Sequence, residues 1–173
     1  MIGSNVNKVD KFIPPHSLNT AVLFLVFNRL DTTKQVFEAI RQAKPPRLYI
    51  AADGARVDKN GEDKKAQAVR DYIMKNIDWN CEVKTLFRDN NLGCKIAVSG
   101  AVDWFFDNEE MGIILEDDCL PSQSFFWFCE ELLERYKDDL QVGQISGDNF
   151  QNGIKRGEAD YYFSIYNHIW GWA

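Results

Sequence analysis

The feature that most constrains this chain is the run AVLFLVF at residues 21–27, seven apolar residues with no polar interruption. A strand with one face in water would alternate, so this run predicts a strand buried on both faces. Such strands belong to parallel sheets covered by helices, and the following sequence supplies both kinds of element. Val36, Phe37, Ile40 and Ala43 fall at helical spacing, with Asp31 or Thr32 as N-cap and Pro45-Pro46 as the stop. RLYIAAD (47–53) is a second strand, closed by Gly54. A helix over 62–77 carries Ala66, Val69, Ile73 and Ile77 on one face. EVKTLFR (82–88) is a third strand, followed by a turn holding Asn90, Asn91 and Gly93. A helix over 95–106 turns Ala97, Ala101, Trp104 and Phe105 inward, and MGIIL (111–115) forms a fourth buried strand. An aromatic-rich helix over 124–136 comes next, and VGQIS (142–146) and YYFSIY (161–166) are expected as later strands.

This order predicts an α/β domain with a mostly parallel, Rossmann-like sheet and helices on both faces. At 173 residues the chain is long enough for one such core. Residues 1–20, polar and carrying Pro14-Pro15, read as an N-terminal extension, with the domain proper at 21–173. Ligands of open α/β sheets bind outside the carboxyl ends of the strands. Asn28-Arg29, Asp53-Gly54 and Glu116-Asp117-Asp118 all fall at such ends.

Three consecutive carboxylates after a buried strand repel one another and resist desolvation. A divalent cation relieves that cost, and oxygen ligands suit Mg²⁺ or Mn²⁺ bridging to a phosphate. The same triplet also reads as solvated acids opening a loop. Asp53 has two readings as well, a turn residue or an acceptor for a base or ribose, and Arg29 is a surface residue or a partner for a base or phosphate. Phe125, Phe126, Trp127 and Phe128 read as core, His168 as structural, and the charged stretch 58–65 as a solvated loop and helix start. Trp170 and Trp172 are sugar-stacking candidates with core roles as the alternative.

Composition narrows the function classes. A net charge of −6 argues against a protein that reads nucleic acid through its phosphates. Cys81, Cys94, Cys119 and Cys129 form no C-x-x-C pair and, with two histidines, make no zinc site, so free thiols are expected. No apolar run has transmembrane length and no signal-peptide pattern is present, so the expectation is a cytoplasmic protein, with a peripheral place on the inner membrane face as a variant.

With these residues in place, the chain resembles the GT-A-fold nucleotide-diphospho-sugar transferases, above all the N-acetylglucosaminyltransferase I type and related bacterial enzymes. The likeness spans residues 21–173 and rests on VLFLVFNR, YIAADG, KIAVSGAVDWFF, IILEDDCLPSQSFFWF, VGQISGDN and IWGWA in that order. It implies a metal-dependent glycosyltransferase moving a sugar, by default N-acetylglucosamine, from a UDP-sugar to an acceptor hydroxyl, with inversion, in bacterial polysaccharide assembly. By the same resemblance Asp118 holds Mn²⁺ or Mg²⁺ on the diphosphate, Asp117 meets the ribose or nucleotide, and Glu116 the donor sugar. Arg29 and Asp53 would frame the uracil, and Asn91, Gly93 and Lys95 would border the donor.

One departure bears on turnover. In enzymes of this type the general base lies beyond the position of IWGWA, so the domain is expected to be C-terminally incomplete. Asp148 in SGDN is the internal carboxylate offered in its place, against a loop-capping role. Two other readings therefore stand beside the transferase: a non-catalytic nucleotide-sugar-binding module, and a phosphatase-like metal hydrolase. The hydrolase wants a nucleophilic Asp at the end of the first strand, where this chain has Asn28-Arg29.

Overall fold

The computed structural model describes residues 12–148, 150, 154 and 157–173. Eight elements follow in sequence: β1 (Val22–Val26), α1 (Leu30–Ala43), β2 (Arg47–Ala52), α2 (Glu62–Asn76), β3 (Glu82–Phe87), α3 (Cys94–Phe106), β4 (Ile113–Glu116) and α4 (Gln123–Tyr136). The four strands form one sheet in the order β3-β2-β1-β4, and every neighbouring pair is parallel. The chain is thus an α/β protein with a parallel sheet flanked by helices, compatible with a Rossmann-like fold.

The sheet's two faces explain the missing alternation. Val22, Phe24 and Val26 of β1 join Leu48, Ile50 and Ala52 of β2 in a cluster covered by α1, α2 and α4, with Phe37, Ile40, Ile73 and Phe126 as its fully buried helical members. Leu23, Leu25, Tyr49, Ala51 and Ile114 point the other way, against Ala101 and Phe105 of α3. Period-2 geometry sends successive side chains to opposite faces, so a doubly covered strand is apolar throughout. Leu18 is buried with the first cluster, and the backbone of Asn19 and Thr20 donates to Glu130 on α4 at 2.7 Å.

Helix ends depart slightly from expectation. The α1 N-cap is Arg29, not Asp31 or Thr32, and its carbonyl accepts the Thr33 N–H at 3.0 Å. Asp31 instead sits in the first turn, where it complements the helix dipole. Lys44 adopts the left-handed conformation ahead of Pro45 and ends the helix.

The two late strands are largely absent. Of VGQIS, Ile145 is paired with Ala173 and Ser146 bridges Trp172, while Trp172 also bridges Ile114 of β4. The segment 171–173 therefore lies antiparallel along the outer edge of the sheet, which covers some of the β4 edge. YYFSIY forms no strand at all, and Tyr162, Phe163, Ile165 and Tyr166 are exposed. Its apolar character without a partner strand does not make a ladder, because β-propensity reflects fit to a sheet that must already be there.

Gly112, at the entrance to β4, tests how tightly the α3 layer is seated. A Cβ there would lie 2.3 Å from Phe105 Cζ and 3.1 Å from the Ala21 carbonyl. Phe105 is fully buried and has nowhere to go. Gly112→Ala is expected to cost about 1–3 kcal/mol of stability in denaturant titration.

Candidate functional site

A cleft of about 430 Å³ opens at the carboxyl ends of the strands. The chain runs from β1 outward to β2 and β3, then returns through α3 to place β4 on the other side of β1. That makes the β1/β4 pair the topological switch point, where two loops diverge and leave a crevice. Arg29 follows β1, Asp53 follows β2, and Glu116 and Asp117 close β4; all four line the cleft. Asp118 is one residue beyond and is joined to it through Arg29. Lys95 is exposed in the first turn of α3 and is not among the lining residues.

The β1 and β4 sides meet through Arg29. Its guanidinium donates to Asp117 Oδ1 through Nη2 and to Asp118 Oδ2 through Nη1, the latter at 2.9 Å. Asp117 is almost wholly buried, and its Oδ2 has no hydrogen-bond partner among the described residues. Burial raises its carboxyl above the ordinary range, and the Arg29 contacts oppose that rise. Burial also raises Glu116, with Asp118 and Asp117 adding repulsion. Arg29 thus pairs with two of the three consecutive carboxylates, Asp117 and Asp118. A buried acceptor without a donor is costly, so the arrangement suits a cation or a hydrogen-bond donor from outside the chain.

Among the described residues no group of three His, Cys, Asp or Glu side chains forms a metal cage. The donors that are present still fit a hard divalent cation. Mg²⁺ and Mn²⁺ sites of the phosphate-bridging kind use one or two carboxylates and fill the remaining positions with water and phosphate. Asp118, with a side chain 46% exposed, offers an accessible oxygen donor for that purpose.

The β2 and β3 side is held differently. Asp53 accepts the Gly54 and Leu92 N–H groups on Oδ1 at 3.0 Å each, and the Gly93 N–H on Oδ2 at 3.1 Å. Its carboxylate thus fixes the β3–α3 loop to the end of β2. Asn91 Nδ2 adds a bond to the Gly54 carbonyl at 2.7 Å. Gly54 has to be glycine because a Cβ would lie 2.4 Å from the Asn90 carbonyl carbon. Asp148 lies apart: its carboxylate receives the Ser146 hydroxyl, stands 3.7 Å from His168 Nδ1, and does not line the cleft. Trp172 packs behind the sheet, while Trp170 is exposed against Phe150.

Three site-building residues have no signal in the sequence pattern. Glu62, in the stretch expected to be solvated, is buried; it receives Arg56 through two guanidinium nitrogens and Asn28 Nδ2 at 2.9 Å. Arg56 in turn lies over the Phe27 ring and lines the cleft. Arg70 of α2 donates to the carbonyls of Asp53 at 3.0 Å and Arg88 at 2.8 Å, tying the ends of β2 and β3 together. All four cysteines are free, as expected, and burial pushes the Cys119 thiol up to about 11, which leaves it unreactive near neutrality.

No protein-family model matches the chain, and no curated protein matches it significantly. Among the described residues no helix is long and apolar enough to cross a membrane.

Two outcomes follow from this geometry. Asp53→Ala removes the acceptor of three backbone N–H groups and is expected to cost about 1–3 kcal/mol, with faster hydrogen exchange at Leu92 and Gly93. The Arg56 contact holds the Glu62 carboxyl down at about 2. A depressed carboxyl contributes stability above its unfolded value of about 4.5, and that contribution is lost as pH falls through about 2. The stability deficit of Glu62→Gln, followed by denaturant titration across that window, should shrink towards zero as the wild type loses the pair.

Proposed function

We propose that this chain is the nucleotide-sugar-binding domain of a metal-dependent glycosyltransferase of the GT-A type. The observation that supports it most is the acidic triplet at the switch-point cleft, with one guanidinium shared by Asp117 and Asp118 and, among the described residues, no partner for the buried Asp117 Oδ2. The donor is a UDP-sugar, by default UDP-N-acetylglucosamine, and the acceptor carries a hydroxyl.

In this reading Asp118 holds the cation from the accessible side of the triplet. Asp117, whose Oδ2 needs a donor, accepts a ribose hydroxyl, and Glu116 accepts hydroxyls of the sugar. Arg29 borders the nucleotide at the end of β1. Asp53 acts through the loop that it fixes, shaping the wall against which the base lies. A bound Mn²⁺ or Mg²⁺ would neutralise the diphosphate and stabilise the charge left on the departing nucleoside diphosphate. Transfer forms a bond from the acceptor oxygen to the anomeric carbon, breaks the bond from that carbon to the phosphate oxygen, and passes the hydroxyl proton to a base.

One observation favours a second reading, a nucleotide-sugar-binding module without turnover. Asp148, the internal carboxylate offered as that base, is engaged by Ser146 and is not among the residues that line the cleft.

Calorimetric titration of UDP and UDP-N-acetylglucosamine, with Mn²⁺ and with chelator, tests the donor site. Binding should require the metal. Even indirect metal partners are worth 10–100-fold, so Asp118→Ala should weaken binding by about tenfold or more. Equal affinity with Mn²⁺ and with chelator would reject the reading. Donor hydrolysis measured on the same samples separates the transferase from the module.

A further inference from the structure

Arg29 occupies the carboxylates that the proposed function assigns to a cation and a nucleotide. It bridges Asp117 and Asp118 with separate guanidinium nitrogens, taking one oxygen of each acid. Its own side chain is 50% exposed, and the cleft beside it is open. The backbone holds the residue in place independently of the side chain. The Arg29 carbonyl accepts the Thr33 N–H at 3.0 Å and the Thr33 hydroxyl at 2.6 Å, anchoring it to the first turn of α1. The guanidinium can therefore leave without the helix start moving.

A guanidinium and a divalent cation cannot share this pair cheaply. Both are positive, both draw on the same two carboxylates, and the near-dry surroundings of Asp117 screen their repulsion poorly. Asp117 lines the cleft, and its Oδ2 is buried with no hydrogen-bond partner among the described residues, so the acid keeps an unmet demand even with Arg29 in place. A diphosphate, by contrast, offers a guanidinium a bidentate partner of at least equal quality.

We propose that Arg29 is an exchangeable internal cation: it holds the Asp117–Asp118 pair when the cleft is empty, and a divalent cation arriving at Asp118 drives it across to the diphosphate. This inference rests on the nucleotide-sugar reading and adds to it an account of how metal and donor become coupled. Metal alone works against the charge of Arg29 without giving it a new partner, so it binds weakly. Donor alone meets a guanidinium already engaged and an uncovered acidic cluster. Together they relieve each other, and the coupling is reciprocal. Without Arg29 the acidic pair is open to metal at once, and most of the mutual help is lost.

The test is Mn²⁺ binding followed by the electron paramagnetic resonance signal of the free ion, with and without UDP, in the wild type and in Arg29→Ala. Arg29→Gln is measured beside it, as a variant that keeps hydrogen-bonding groups but no charge, and thermal melting checks that both are folded. In the wild type UDP should tighten Mn²⁺ by a factor within the usual range of about 5–150. In both variants Mn²⁺ alone should bind about two- to fivefold tighter than in the wild type, as expected for loss of a competing, half-exposed ion pair. The effect of UDP on Mn²⁺ should fall accordingly. Unchanged or weaker Mn²⁺ binding in folded variants that still bind UDP would overturn the exchange and leave the nucleotide-sugar reading standing. Absence of both Mn²⁺ and UDP binding in the wild type itself would overturn both.

Discussion

The structure depends on β1 being buried on both faces and hydrogen-bonded on both edges. Parallel pairing to β2 on one side and β4 on the other leaves Val22–Val26 with no exposed surface. Everything else follows from covering that strand. The even residues need α1, α2 and α4, the odd residues need α3, and α3 must cross the sheet to bring β4 to the far side of β1. The crossing opens a crevice where the β1 and β4 loops part. The cleft is thus a consequence of how the core is covered, and the residues at its mouth are those the strands deliver there.

Those residues carry charge because a strand end at a crevice is half in water. Asp117 is the exception, being close to fully buried one residue after an apolar strand. Burial raises its carboxyl, and Arg29 is the main counterweight, with the Phe27 backbone adding to it. A single guanidinium shared by two acids satisfies them incompletely, which leaves Asp117 Oδ2 orphaned. Such groups persist when the surrounding fold over-determines them, and their usual setting is a binding site rather than a stabilising contact.

Much of this was legible in the sequence because its signals are local. Apolar runs located β1, β2 and β4, alternation located β3, helical spacing located α1, α2 and α3, an aromatic-rich stretch located α4, and the positions after strands pointed to Arg29, Asp53 and the acidic triplet. What escaped depends on contacts distant in sequence. Glu62 sits in EDKK, a stretch with no apolar period, and is buried by Asn28, 34 residues earlier, together with Arg56. Arg70 looks like any cation on a surface helix until β2 and β3 bring two carbonyls beneath it. YYFSIY fails in the opposite direction: its residues have strand character, but 171–173 already lies along the β4 edge. Asp53 was read as a turn or a ligand contact, and the turn chemistry is visible in its bonds, extended to a loop almost forty residues away.

The two halves of the cleft are built from different materials, and that difference has a mechanical meaning. On the β2/β3 side, backbone amides and carbonyls are fastened by Asp53, Asn91 and Arg70, and Gly54 touches Asn90 too closely to admit a methyl group. Shifting that wall would break several bonds to backbone groups at once. On the β1/β4 side the connection is one arginine side chain, half exposed, between two acids on a turn. Its rotamers can change while the strands stay fixed, so ligand-driven adjustment belongs to this side. The division sets a wall fastened through backbone groups opposite a wall held by one side chain, with β1 as the common border.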